Sequence, residues 1–225
     1  MVLASIIPHF DFVPSFGPVD LWDLNILKAI QQIVNPVFDV LMPAVSFLAD
    51  DGWFWIVLTL ILMIIPKTRK IGFTMAGALL LGVIFGNGIL KHVIGRSRPY
   101  ELYKDWYDKL LIDGKWQHFG GPLRLLVADP GDTSFPSGHT LASIEAALAL
   151  FLRNKKWGIP ALVLAFTIAF SRLYVCVHYP TDVIAGMAMG IGLAFLGKFI
   201  VDKIYALIDK RRADKAAKKA PAETD

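Results

Sequence analysis

Residues 71–94 read IGFTMAGALLLGVIFGNGILKHVI, and no charge interrupts this run before Lys91. A hydrocarbon core about 30 Å thick needs about 20 apolar residues in helix, so this stretch alone predicts a membrane-spanning helix. Working outward, five further apolar segments appear. One runs from Leu24 to Ala49, with Lys28, Gln31 and Gln32 placing its opening turns at the interface, and one from Trp53 to Ile65, between Asp50-Asp51-Gly52 and Pro66. After it come a segment from His139 to Leu152, one from Trp157 to Val175 and one from Asp182 to Leu207. The expected fold is all-α, a polytopic membrane helical bundle of six transmembrane helices. It occupies residues 24–207, after an interfacial segment at 1–23 and before a basic tail at 208–225.

The composition agrees with this. The 225 residues are 55% hydrophobic and 19% charged, more apolar than a soluble domain of this length requires. The net charge of +4 is too small to argue for nucleic acid. It comes largely from Lys210, Arg211, Arg212, Lys215, Lys218 and Lys219, a basic tail that suits an anionic lipid surface. A single cysteine, Cys176, excludes an intrachain disulfide and reads as a packing residue. The first residues lack a basic n-region, and Pro8, Pro14 and Pro18 break them up, so no cleaved signal peptide is expected.

Basic clusters set the direction. Lys67, Arg69 and Lys70 lie between the second and third segments, and Arg153, Lys155 and Lys156 between the fourth and fifth. With six crossings these clusters and the tail share one side. The positive-inside rule makes that side cytoplasmic, with both termini in the cytoplasm. The other side then carries three polar groupings: Lys91 to Pro99, Phe135 to His139, and Ser171 to Asp182.

Those groupings have a joint chemistry. Lys91, Arg98 and Arg172 are fixed cations, and the arginine fork matches phosphate oxygens. Ser137 and the amide of Gly138 stand at a helix N-terminus, a natural anion site where glycine admits close approach. His178 and Asp182 are separated by one helical turn. A carboxylate there can hold one imidazole nitrogen and leave the other free to attack phosphorus, and His139 can move the leaving group's proton. The residues alone do not decide which histidine plays which part.

Three signatures are present: KxxxxxxRP at Lys91, Arg98 and Pro99; PSGH at Pro136 to His139; and SRxxxxxHxxxD at Ser171, Arg172, His178 and Asp182. Together they resemble the type 2 phosphatidic acid phosphatase (PAP2) superfamily, whose core is shared with vanadium-dependent haloperoxidases. Those haloperoxidases are soluble, which the apolar segments argue against. The resemblance implies a metal-independent hydrolase without a cofactor, in which His178 becomes a phosphohistidine, Asp182 orients it and His139 is the acid. Lys91, Arg98, Ser137, Gly138 and Arg172 hold the phosphate. The implied partners are the bilayer and a membrane lipid phosphate. Undecaprenyl diphosphate is the first choice, ahead of phosphatidylglycerol phosphate and phosphatidic acid. A decayed site serving a lipid binder or transporter is the alternative, which intact His139, His178 and Asp182 disfavour.

Four features fall outside the signatures. Glu145, an acid inside a membrane segment, is a functional candidate that bonds a neighbouring helix or tunes His139. Gly82/Gly86 and Gly186/Gly190 suit close helix packing within the bundle. The segment from Tyr100 to Thr133, with Tyr103, Trp106, Tyr107, Trp116 and Phe119, is an aromatic linker that can lie on the bilayer and guard lipid entry. His92 and His118 read as structural.

Overall fold

The structure is a computed structural model, and it describes residues 18–33, 35–100, 109–112, 115–118, 126–127 and 131–218. Most of the aromatic linker, including Tyr103, Trp106, Tyr107 and Phe119, lies outside the described residues, as do residues 1–17 and the end of the tail. Seven helices order the described chain: α1 Pro18–Gln31, α2 Pro36–Phe47, α3 Trp53–Ile64, α4 Arg69–Ile94, α5 Gly138–Arg153, α6 Lys155–Tyr174 and α7 Pro180–Ala217. A small antiparallel hairpin, β1 Lys109–Ile112 with β2 Lys115–His118, is an addition that the helical reading did not foresee.

The helical membrane bundle is as expected, but the segment from Leu24 to Ala49 is not one helix. Asn35 accepts from the amides of Val37 and Phe38 at 3.1 Å each, and Pro36 follows at the first helical position, so a new helix starts there. The six-span count is not reproduced. By length and composition α4, α6 and α7 can each cross a membrane. The α2–α3 pair, bent by 44° across its break, makes a fourth if it is one span. α5 is shorter, at 16 residues.

α5 is the axis of the bundle, packed on α4, α6 and α7. Most of its length is buried, including Leu141, Ile144, Ala146, Ala147 and Leu150, and small residues let its neighbours approach. A Cβ on Gly82 would meet the Glu145 carboxylate at 2.2 Å, and one on Gly86 would meet Leu141 at 2.3 Å. On α7, a Cβ on Gly186 would lie 2.8 Å from the Ser137 carbonyl oxygen and one on Gly190 3.0 Å from that of Leu141. Both glycine pairs therefore seat helices within the bundle. Outward-facing Leu60, Ile64, Leu80, Val163, Phe166, Phe195 and Phe199 are exposed apolar side chains, as a lipid-facing surface requires.

The two ends of the bundle differ chemically. At one end Lys70, Arg153 and Lys198 all reach Asp202, at 2.7–2.8 Å. The basic clusters before α4 and α6 thus meet on the flank of α7, which continues to Ala217 rather than ending at Leu207. At the other end α1 packs on the site. Leu24 and Leu27 are fully buried, Asp23 accepts from the Thr181 amide at 2.9 Å, and Gln31 reaches the Cys176 sulfur at 3.1 Å.

Candidate active site

The π-helical stretch Val83–Leu90 widens the last turns of α4, a feature often found at functional sites. It delivers Asn87 and then Lys91 to a cavity of about 990 Å³. Arg98, Gly138, His139, Arg172 and His178 line the same cavity, so residues from all three signatures meet there. Ser137 does not line it. Its hydroxyl caps α5, lying 3.5 Å from the Thr140 amide and 2.9 Å from the Thr140 hydroxyl. Asp182 is buried behind His178.

His178 is 1% exposed, and its two nitrogens face different partners. Nε2 lies 3.4 Å from an Arg98 nitrogen, on the cation side. Nδ1 lies 3.6 Å from Asp182 Oδ2, just beyond hydrogen-bond length. The Ser134 hydroxyl bridges that gap: it donates to Asp182 Oδ2 and sits 3.4 Å from Nδ1. Asp182 is held further by the Tyr179 amide at 2.9 Å and by Arg96 at 2.8 Å.

Arg96 is the main residue that the signatures miss. Its guanidinium donates to Asp182, Thr181, Asp23 and Asp20, at 2.8, 2.7, 2.8 and 3.2 Å, and stacks 3.9 Å from the Tyr179 ring centroid. It lies inside KxxxxxxRP at a variable position, so only its physical predicament marked it: a cation at the membrane edge needs acids, and α1 carries two. Ser134 and Asn87 gave no such signal.

The cations are poised for an anion. Arg98 donates to the Val177 carbonyl at 2.7 Å and to the Asp132 carbonyl at 2.8 Å. One Arg172 nitrogen donates to Ser46, and its buried Nε has no partner among the described residues. Asp132 receives both Lys91 and Arg98 through its carboxylate. Burial works to raise the Asp132 pKa, but those two cations hold it below the ordinary carboxylate range. A carboxylate therefore occupies donors that a bound anion could otherwise take. Asp132→Ala is expected to tighten competitive inhibition by inorganic phosphate about threefold to tenfold. An unchanged inhibition constant would show that Asp132 does not compete.

Burial, and then the charges of Arg172 and Arg98, push His178 down to about 4 against the pull of Asp182. Its imidazole is then neutral, with a free lone pair, at ordinary pH. The unfolded chain takes up this proton near the ordinary histidine value of 6.5 and the folded chain only near 4, so stability rises with pH across that window. The thermal midpoint should climb from pH 4 to 6.5 and climb less in His178→Ala. Equal slopes would assign the dependence to other groups.

His139, at the head of α5, has Nε2 3.0 Å from Asp50 Oδ1. Asp50 is placed by a tight turn in which Asp51 and Gly52 adopt φ of 49° and 70°, a left-handed conformation that glycine accepts readily. Glu145 neither bonds a neighbouring helix nor reaches His139: its Oε2 is buried without a partner among the described residues. No group of three or more metal-ligating side chains occurs among the described residues. The site thus combines a neutral imidazole, a second imidazole with a carboxylate, and three cations around one cavity, the elements of phosphoryl transfer through a covalent intermediate.

Residues 68–205 match the PAP2 superfamily. The chain is 35% identical over 153 residues to an undecaprenyl-diphosphatase of Sulfolobus acidocaldarius, covering 67% of this chain and 66% of that protein. It is 33% identical over 84 residues to the undecaprenyl-diphosphatase BcrC of Bacillus subtilis, covering 37% of this chain and 44% of that protein. The alignments thus span just under two thirds and less than half of these relatives. Among solved structures, a transmembrane PAP2-type phosphatidylglycerolphosphate phosphatase from Bacillus subtilis superposes with a TM-score of 0.63 at 27% identity, covering 84% of this chain and 89% of that one.

Proposed function

The chain belongs to the PAP2 superfamily, and from that premise we propose that it is an integral membrane lipid phosphatase working through a phosphohistidine on His178. The observation that carries this is the meeting of Arg98, Arg172 and Lys91 with His178 in one cavity, where the buried Arg172 Nε lacks a partner among the described residues. A phosphate supplies that partner.

Nε2 of His178 attacks phosphorus, the P–O bond to the lipid breaks, and His139 protonates the departing oxygen. Water then attacks phosphorus, giving a proton to His139, and the P–N bond breaks, which returns His178 and releases inorganic phosphate. Arg98, Arg172, Lys91 and the Gly138 amide hold the phosphoryl oxygens, and Ser137 shapes the helix end that presents that amide. Asp182, with Ser134, fixes the ring.

The names of the two sequence relatives favour undecaprenyl diphosphate as substrate, with glycerophospholipid phosphates as the second choice. The basic end around Asp202 and the tail are assigned to the cytoplasm and the active site to the outer face. The end of α7 is accordingly assigned inside, whereas the packing of α1 at the site end favours the outer side for Pro18, against the cytoplasmic N-terminus expected from six crossings. Because Asp20 and Asp23 support Arg96, the catalytic unit is assigned to Pro18 onward rather than to residue 24.

The test is phosphate release by the purified protein in detergent, with a chelator present, on undecaprenyl diphosphate, phosphatidylglycerol phosphate and phosphatidic acid. Turnover of at least one lipid, undiminished by the chelator, is expected. Folded protein that is silent on all three, or strictly dependent on added metal, would overturn the reading.

A further inference from the structure

The cavity does not end at the cations. It continues between α3 and α4, past Ile56, Leu60 and Leu80, as far as Met63 and Ala76. Met63 lies roughly 20 Å beyond Asp50 at the helical rise of 1.5 Å per residue. Ile56, Leu60 and Leu80 are also exposed on the lipid-facing surface, so this arm opens sideways and suits a lipid chain whose phosphate lies among the cations.

Two groups in this apolar arm are not hydrocarbon. Glu145 is 1% exposed and Thr59 is 4% exposed. Glu145 Oε2 and Thr59 Oγ1 both lack a hydrogen-bond partner among the described residues, and both residues line the cavity. They also lie at similar depth. α3 and α5 run the same way from the site end, and Trp55 Nε1 donates to Ser143 Oγ at 2.9 Å across them. Two residues further along α5 reaches Glu145, and four further along α3 reaches Thr59, a difference of roughly 3 Å. Gly82 makes the arrangement possible, since any side chain there would strike the Glu145 carboxylate. An orphaned buried polar atom is costly, and two such atoms on residues that line one cavity point to a ligand that completes them.

We infer that Glu145 and Thr59 form a hydrogen-bonding subsite for a hydroxyl carried on the lipid chain of the substrate. The Glu145 carboxyl accepts from that hydroxyl and Thr59 donates to it. Glu145 lies six residues beyond His139, so the hydroxyl sits about 9 Å below the head of α5. This rests on the lipid phosphatase reading and names a substrate class within it: lipid phosphates hydroxylated on the chain near the head, ranked above wholly hydrocarbon isoprenoid chains. That order reverses the one the sequence relatives suggest.

The full chain in detergent is tested on a matched pair, hexadecyl phosphate and its analogue hydroxylated at the sixth carbon, with kcat/KM measured for each. The wild type should favour the hydroxylated ester by about tenfold or more, the selectivity of a site built to bond a hydroxyl. In Glu145→Leu and in Thr59→Val the ratio should fall to about threefold or less, while Glu145→Gln, which keeps an acceptor, retains most of it. Thr59→Val carries the test if the leucine variant fails to fold. A wild-type ratio near one, or a ratio unchanged in both apolar variants, overturns the subsite alone. Hydrolysis of neither ester by folded wild type overturns the phosphatase reading and the subsite with it.

Discussion

His178→Ala is expected to lower turnover by about 10⁴-fold or more, because it removes the imidazole nitrogen that lies beside Arg98 in the cavity. The cations are untouched, since Arg98 keeps its bonds to the carbonyls of Val177 and Asp132. Binding of a phosphate analogue such as vanadate should therefore persist within about tenfold of the wild type, measured as protection against thermal unfolding. Alkaline denaturing quench of wild-type protein on a labelled substrate should trap a base-stable, acid-labile phosphoryl adduct that the variant lacks. Residual turnover within tenfold of the wild type would remove His178 from the nucleophile role.

Asp182→Asn is expected to cost about 10²- to 10⁴-fold in kcat with little change in KM. The amide still occupies the space, but it no longer matches Ser134, the Tyr179 amide and Arg96, all of which donate to the carboxylate. The Ser134 hydroxyl, no longer held by a carboxylate, then ceases to fix the His178 tautomer through Nδ1. Arg96→Met separates positioning from chemistry. It leaves the Asp182 charge in place but strips it and the fully buried Asp23 of their shared cation, and uncompensated buried charge is strongly destabilising, about 3–5 kcal/mol. Its thermal midpoint should fall well below that of Asp182→Asn, and its kcat by about tenfold to a hundredfold, with Arg96→Lys partly restoring both. An Arg96→Met variant with wild-type stability would show that the acids of α1 and α7 do not depend on it.

Much of the molecule was legible because bilayers and phosphates both impose strict residue patterns. Apolar stretches such as 71–94 can hardly be anything but membrane helices, since the bilayer leaves backbone groups no other partner. The signature residues could be assembled before any coordinates because fixed spacing on helix ends encodes direction. The segment from Leu24 to Ala49 was harder. Its hydropathy is continuous, and the break depends on Asn35 and Pro36 acting together, a local hydrogen-bonding event that an apolar average conceals.

The sequence by itself determined the class of structure and brought forward the cations, imidazoles and carboxylate from which the chemistry is proposed. Composition and spacing are one-dimensional properties, and these conclusions need nothing more. The tertiary structure alone decided which groups support them: Arg96 reaching from its loop to α1 and α7, Ser134 wedged between Asp182 and His178, and Asp132 set across Lys91 and Arg98. It also turned the Ser137 hydroxyl away into a helix cap and left Glu145 lining the apolar arm of the cavity. Such relations join residues far apart in the chain, and they are settled by packing, which brings α4 and α7 against α5 closely enough for a missing side chain to matter.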